Sequence, residues 1–495
     1  MAKKLDLKTF TFLLKTQSFK NTAWNLAGTV TYPVMVLLCT PFFINRLGPD
    51  QYGIWMLINT TTQLMSVLNL GLGDANIKFI SKYTALEDFT SIRKTVTTTF
   101  TLALIIVLLS ICLGLVLAYL IQYHDWFNLP SSYKAVGVQS VRYAFILFGL
   151  KFLEVIVLSI FQGYERYDRS SMLSLLSRVI VLVANVVWVY NGASLIDVFI
   201  SSVGFQLLFL FIEIYFVTRS FSYLSFSPSI KIPVIREIFG FSLWTWLQSL
   251  MAIVTTQLDK FLVVYFSDVH TLSYYSLGSM ITTQLHSIFS SASGWIFPVV
   301  SKKDALNEPL KRLFFNAQTI LLGLGFSAIF VFLLLEEPIL KMWLGDQTYA
   351  NSIEYIRLFI FYNLFLIVNI MPYYFLNGTG HVKYNTLSEF IIKIFNIGGM
   401  LLMVNFLGIQ GLIWGLILSM VIALPIKASI TNVYALRIKN MGWGLESIIC
   451  PSLLVLCFII DNLLIRGCII LLAAVVFFRV YLVNGSLIKV WKSHE

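Results

Sequence analysis

The residues of this chain whose types and spacing could do chemistry are ionisable side chains set inside apolar runs. They are Asp74, Lys78, Lys151, Glu154, Arg178, Asp197, Glu213, Asp259, Lys260, Glu389 and Lys393. A charge inside a membrane span is costly and normally faces protein or water. Asp74 with Lys78, Lys151 with Glu154, and Glu389 with Lys393 stand three or four positions apart, on one helix face, where each acid would offset its base. Asp74 and Lys78 fall near a span end, where Lys78 can also snorkel to headgroups. Asp197 and Glu213, near span ends, read as interfacial. Arg178 differs, because residues 170–190 hold no acid to pair with it. It therefore needs an anion from another helix or from a substrate. Arg178, Lys393 and Lys151 are candidate substrate-binding cations, and such a set suits a diphosphate, which Arg grips bidentately and Lys meets as a point charge.

Trp244, Thr245, Trp246, Gln248 and Ser249 open another apolar run. Indole faces and amides such as Trp244, Trp246 and Gln248 suit sugar contact, although Trp is also common at membrane interfaces. Asp259 and Lys260, later in the same run, join Asp74, Glu154 and Glu389 as candidate ion-coupling or gating groups. His286 stands alone and reads as a hydrogen-bonded interior group. No GxxxxGK[ST] phosphate loop is present, so ATP is not expected to be hydrolysed on this chain. No His/Cys/Asp cluster has metal spacing, so neither a metal nor any other cofactor is expected, and the chain does not read as an enzyme.

The elements that must position these residues are membrane helices. Of 495 residues, 58% are hydrophobic and 12% charged, with a mean hydropathy of +0.82. A soluble domain carries roughly 25% charged residues. The 35 Lys+Arg exceed the 24 Asp+Glu, yet most of the basic residues sit in one set of loops, which argues against nucleic acid. The five cysteines lie in apolar runs and read as small hydrophobes. The first apolar run lacks a small-residue cleavage site and reads as an uncleaved helix.

Apolar length predicts about 14 spans, near 21–45, 52–81, 95–121, 137–162, 171–190, 194–218, 237–262, 271–299, 313–335, 353–376, 385–405, 410–434, 446–464 and 467–485. Lys and Arg concentrate at every second connection, including Lys82, Arg93, Lys94, Arg166, Arg169, Lys302, Lys303 and Lys439. By the positive-inside rule both termini are cytoplasmic. The largest outer connection is expected near 335–352 and the largest inner one over 219–236, with no room for a soluble catalytic domain. The polar run Asn59, Thr60, Thr61, Thr62 and Gln63 inside 47–83 is more than lipid alone would ask for, and points to a wet cavity.

The chain also repeats itself. Phe161-Gln162-Gly163 precedes Arg166 and Ser170, and 215 positions later Leu376-Asn377-Gly378 precedes His381 and Asn385. At that offset Arg142 falls on Arg357 and Arg178 on Lys393. More weakly, Gln51–Trp55 echoes Thr271–Tyr275 at an offset of 220. A repeat of six helices keeps one orientation, so the expected fold is an all-α membrane protein of two parallel six-helix lobes. They would be related by a pseudo-two-fold along the membrane normal, with a cavity between them. The expected domains are an N-lobe over 1–220, a C-lobe over 221–440, and two extra helices with a cytoplasmic tail over 441–495.

Leu47-Gly48-Pro49, Gln51-Tyr52-Gly53 and Leu70-Gly71-Leu72-Gly73 resemble the second membrane helix of bacterial polysaccharide flippases (the Wzx type). These belong to the multidrug/oligosaccharidyl-lipid/polysaccharide exporter superfamily. Asn69 stands where members often carry Asp. Asp259-Lys260, ahead of Tyr274-Tyr275-Ser276-Leu277-Gly278, resembles the acid–base pair of that family. The resemblance implies 12 or 14 helices and a cationic cavity. It also implies a cargo of sugar oligomer on undecaprenyl diphosphate, moved to the outer leaflet of the inner membrane by alternating access. Candidate protein partners are then the polysaccharide polymerase and the chain-length regulator, and the chain is expected to act as a monomer.

Three other readings compete. A peptidoglycan-precursor flippase is a close relative. A multidrug exporter should present acids to cationic drugs, yet residues 21–45 hold no Asp, Glu, Lys or Arg. A membrane polysaccharide polymerase usually has a large outer loop, which this chain lacks.

Overall fold

The computed structural model describes residues 17–65, 71–123 and 133–437. Among them every regular element is a helix. In chain order these are α1 Gln17–Leu47, α2 Pro49–Met65, α3 Leu72–Ala85, α4 Phe89–Tyr123, α5 Lys134–Gly163, α6 Tyr167–Tyr190 and α7 Leu195–Ser220. They continue with α8 Ile232–Phe266, α9 Val269–Ser293, α10 Ile296–Ala305, α11 Lys311–Leu344, α12 Asp346–Gly378 and α13 Val382–Ile430, closed by a π-helical turn over Thr431–Ala435. Seven described helices are long and apolar enough to cross a membrane. The all-α membrane class follows from the sequence: the apolar runs cannot leave backbone groups unpaired in lipid, and helices satisfy them internally.

Several boundaries differ from expectation. The span expected over 52–81 is two helices, because Gly71 adopts φ 67° and starts a new one. The span expected over 271–299 is likewise divided, into α9 and α10 around Gly294. The broad outer connection expected near 335–352 is almost entirely helical. Only Gly345, at φ 80°, separates α11 from α12. The two spans expected over 385–405 and 410–434 are the two arms of α13, which turns at Gly408 (φ 60°, ψ −144°). No side chain obstructs that hairpin: Gly399 and Gly415 meet backbone to backbone, and Ser419 Oγ donates to Phe395 O at 2.6 Å. The spans expected near 446–464 and 467–485 lie outside the described residues.

The chain forms two compact units, residues 1–273 and 274–495. In the first, α5 is the hub: α4, α7, α3, α2 and α6 all pack against it, while α1 lies on α6. A core of Phe79, Ile80, Val96, Phe152, Ile156, Ile160 and Phe161 joins α3, α4 and α5. Asn76 ties the same three helices with polar bonds, donating to Ser159 Oγ at 2.7 Å and accepting from Thr99 Oγ1 at 3.2 Å. In the second unit α12 is the hub, packed by α13, α11 and α10. The two hubs, α5 and α12, carry the sequence pair 215 positions apart.

The structure reproduces that repeat bond for bond. Gln162 Nε2 donates to Ser170 Oγ at 2.8 Å, and Asn385 Nδ2 donates to Asn377 Oδ1 at 3.0 Å. Gly163 packs so tightly on α3 that an added Cβ would stand 2.7 Å from Ile80 Cβ. An added Cβ at Gly378 would stand 2.7 Å from Val300 Cγ1. Ile80 and Val300 are themselves 220 positions apart.

Candidate functional site

In the first unit Lys151, Glu154, Arg178 and Glu213 gather where α5, α6 and α7 pack. Each helix is apolar along most of its length, so the few polar positions meet across the seams. Glu154 is buried and accepts a hydrogen bond from Gln206 Nε2 of α7 at 2.7 Å, with the Ser174 hydroxyl of α6 beside it. Lys151 and Arg178 both act on it electrostatically. Both cations are exposed, and Arg178 sets its guanidinium 6.0 Å from the ring centre of Tyr32 on α1. Neither cation makes a side-chain hydrogen bond or ion pair among the described residues. The pairing of Lys151 with Glu154 expected from their spacing is not a direct ion pair: the acid's hydrogen bond comes from Gln206. Glu213 is 0% exposed, and both its oxygens lack a hydrogen-bond partner among the described residues. Asp197 does sit at a helix end, where it forms a capping box with Ser194 at the start of α7.

The second unit builds a related cluster from α12 and the two halves of α13. Glu389 was expected to pair with Lys393, one turn along. Its ion-pair partner is instead Lys427, a lysine that is 0% exposed. Asn369 Nδ2 of α12 donates to the same carboxylate at 3.1 Å. Lys393 is left in the field of Glu389 and Lys427 with no contact partner among the described residues. His286 lies near Glu389 and Lys393. Its Nδ1 is buried without a hydrogen-bond partner among the described residues. Lys427 and Gln206 were missed in the sequence. The available signal was the same in both: a single long polar side chain deep in an apolar run.

The 215-residue offset relates the two clusters atom group by atom group. Glu154 falls on Asn369, Ser174 on Glu389, and Arg178 on Lys393. In each unit one of the first two positions supplies the carboxylate and the other a polar side chain beside it, with the roles exchanged. The cation stands one turn beyond in both.

The remaining candidates do not join these clusters. Asp74 and Lys78 are exposed near the start of α3. Asp259 is buried in α8, while Lys260 Nζ donates to Thr256 O at 3.0 Å and Gln257 Oε1 at 3.2 Å. Gln257 Nε2 donates in turn to Gln63 Oε1 of α2 at 2.8 Å. Asn59, Thr61 and Thr62 bond back to the carbonyls of Trp55, Leu57 and Asn59 at 3.0, 2.9 and 2.8 Å. Trp246 is half-buried in α8. The side chains of Trp244 and Gln248 lie outside the described residues. No group of three His, Cys, Asp or Glu side chains suited to a metal ion occurs among the described residues.

Comparison with known proteins places the chain. Residues 18–304 match the family described as polysaccharide biosynthesis protein. A putative O-antigen transporter of Shigella flexneri is 21% identical over 377 residues, covering 74% of this chain and 86% of that protein. Among solved structures, the inward closed conformation of the lipid II flippase MurJ superposes with a TM-score of 0.66 at 12% identity, covering 92% of this chain and 98% of that one. An inward-facing MATE-family multidrug transporter of the MOP superfamily gives 0.64 at 13% identity over 86% and 98%. A MOP-superfamily transporter from Pyrococcus furiosus gives 0.57 at 13% identity over 89% and 98%. These likenesses show that the chain has the MOP-superfamily fold.

Proposed function

Since the chain belongs to the polysaccharide biosynthesis protein family, we propose that it is a flippase for lipid-linked oligosaccharide repeat units, and not an enzyme. The cargo is a sugar oligomer on undecaprenyl diphosphate. It passes from the cytoplasmic to the outer leaflet of the bacterial inner membrane by alternating access, with lobes 1–220 and 221–440 as the alternating bodies. The observation that carries this reading is Arg178: an exposed cation in the membrane-spanning α6, beside exposed Lys151 and without an ion pair among the described residues. A lone cation at that depth is costly unless an anion answers it. The diphosphate supplies two phosphates' worth of acceptor oxygens for the planar fork of Arg178 and the ammonium of Lys151. Lys393 repeats the arrangement in the second unit. The lipid tail stays in the bilayer while the charged headgroup crosses on these residues. The name of the Shigella relative supports the same substrate class.

Deletion of the gene tests the reading. Loss of surface glycan with accumulation of lipid-linked repeat units is the expected result. Unchanged glycan with raised sensitivity to cationic drugs would assign the chain to drug export instead.

A further inference from the structure

Lys427 lies fully buried in the second arm of the membrane-spanning α13. A bare ammonium there is costly, and its partner is the carboxylate of Glu389 on the first arm. Asn369 Nδ2 of α12 donates to the same oxygen, Oε1, at 3.1 Å. Tyr373, one turn further along α12, sets its ring centre 5.9 Å from Lys427 Nζ. Both donors thus draw the Glu389 carboxylate toward α12 and the second arm. Glu389 is also the only acid in α13, and it stands four positions before Lys393. An acid four residues ahead of a lysine is the favoured order for an ion pair along a helix. Yet Lys393, which is partly exposed, makes no ion pair among the described residues. The buried cation takes the acid, and the partly exposed one is left open. The first unit shows the same choice with a neutral donor. Glu154 stands three positions after Lys151 on α5, and its hydrogen bond comes from Gln206 of α7. Lys151 stays exposed, without an ion pair among the described residues.

We propose that Lys427 is a positioning residue for the cargo site: by occupying Glu389 it keeps the Lys393 ammonium free to meet the diphosphate. That Lys393 meets a diphosphate rests on the function proposed above; that Lys427 keeps it free does not. Lys427 itself is fully buried and does not touch the cargo. Without its ammonium, Glu389 keeps one neutral donor, Asn369, and the next cation along its own helix is Lys393. The carboxylate turns to that cation. A diphosphate must then compete with an acid tethered one turn away, which acts at high effective concentration. Removing Glu389 as well removes the competitor. A loss of cargo binding in Lys427→Met is therefore reversed by adding Glu389→Gln. A pair that only holds the hairpin together would not alter the state of Lys393 in protein that is folded.

Two measurements on the purified full-length protein test this, each at equal folded protein. The first labels amines with a small water-soluble acylating reagent and reads each lysine by mass spectrometry. Exposed Lys383 of the same helix is the internal reference. In the wild type Lys393 should be labelled and Lys427 should not. Lys427→Met should lower Lys393 labelling by roughly tenfold, and Lys427→Met with Glu389→Gln should return it to the wild-type value. An unlabelled Lys393 in the wild type or unchanged labelling in Lys427→Met overturns the proposal. So does labelling in the double variant well above wild type, because Glu389 would then have been holding Lys393 all along. That comparison needs only the double variant and decides even where the single variant does not fold. In the second, binding of undecaprenyl diphosphate is measured in detergent micelles. Affinity should fall by roughly tenfold in Lys427→Met and recover in the double variant. Wild-type affinity in Lys427→Met with Lys393 labelling reduced overturns the link to the cargo. Lys393→Ala separates the two readings: unchanged affinity in that variant removes Lys393 from the diphosphate site, while the labelling still decides whether Lys427 keeps it free.

Discussion

Lys427, on the second half of α13, is ion-paired to Glu389 on the first half, and the lysine is completely buried. The pair clamps the hairpin that turns at Gly408, alongside the close approach of Gly399 and Gly415. Breaking such a pair leaves one charge buried and unanswered, which costs roughly 3–5 kcal/mol. Lys427→Ala should therefore lower thermal stability in detergent and abundance in the membrane. The double variant Lys427→Met with Glu389→Gln should recover much of the loss, because neither charge remains. A double variant no more stable than Lys427→Ala would show that the ion pair is not what holds the hairpin.

Gly163 and Gly378 are the tightest test of the internal repeat. Both sit at the end of a hub helix, and an added Cβ would stand 2.7 Å from Ile80 or Val300. Overpacking of this kind costs typically about 1–3 kcal/mol. Gly163→Ala and Gly378→Ala should each lower the melting temperature, and Ile80→Ala should partly rescue the first. Wild-type stability in both variants would mean that the contact yields freely.

The repeat shows how much of this fold was legible. Gln162 and Ser170, with Asn377 and Asn385, could be matched by offset alone, and the structure joins each pair by a hydrogen bond. The apolar runs also located the seven described helices long and apolar enough to cross a membrane, because length and composition are what lipid selects. Helix breaks at Gly71 and Gly294 were not legible, since apolar composition continues through them. The site was half legible. Charges in spans were visible, but spacing along one helix suggested Lys393 as the partner of Glu389. The actual partner, Lys427, comes from a different turn of chain 38 positions on. Same-face spacing measures only local neighbours, whereas a buried acid takes whichever donor tertiary packing brings. The buried state of Glu213 was hidden for the same reason: distance from a span end in sequence does not report which helices cover it.

Membrane topology follows the basic residues. A reporter fused after Lys303, in the last turn of α10, or after Lys439 should lie in the cytoplasm, and one after Asp346, at the start of α12, outside. Phosphatase and fluorescent-protein fusions distinguish the sides. An outer signal at Lys303 would break the alternation of spans.

Asp259 is a buried acid in α8, one residue from Lys260, whose ammonium is committed to Thr256 and Gln257. Asp259→Asn keeps shape and hydrogen-bonding capacity while removing the charge. Transport should fall by more than protein abundance if the charge takes part in coupling or gating. Normal surface glycan at equal expression would reduce Asp259 to a packing role.

The central claim is that Arg178 and Lys393, at matched repeat positions, hold the diphosphate of the cargo. The direct measurement is flipping of a fluorescent undecaprenyl-diphosphate-linked oligosaccharide in proteoliposomes containing wild type, Arg178→Lys, Arg178→Ala or Lys393→Ala at equal, folded protein. Arg178→Lys should keep partial activity, since the charge persists while the bidentate fork is lost. Arg178→Ala and Lys393→Ala should reduce flipping to the protein-free rate with melting temperatures unchanged. Wild-type flipping in both alanine variants would contradict the account.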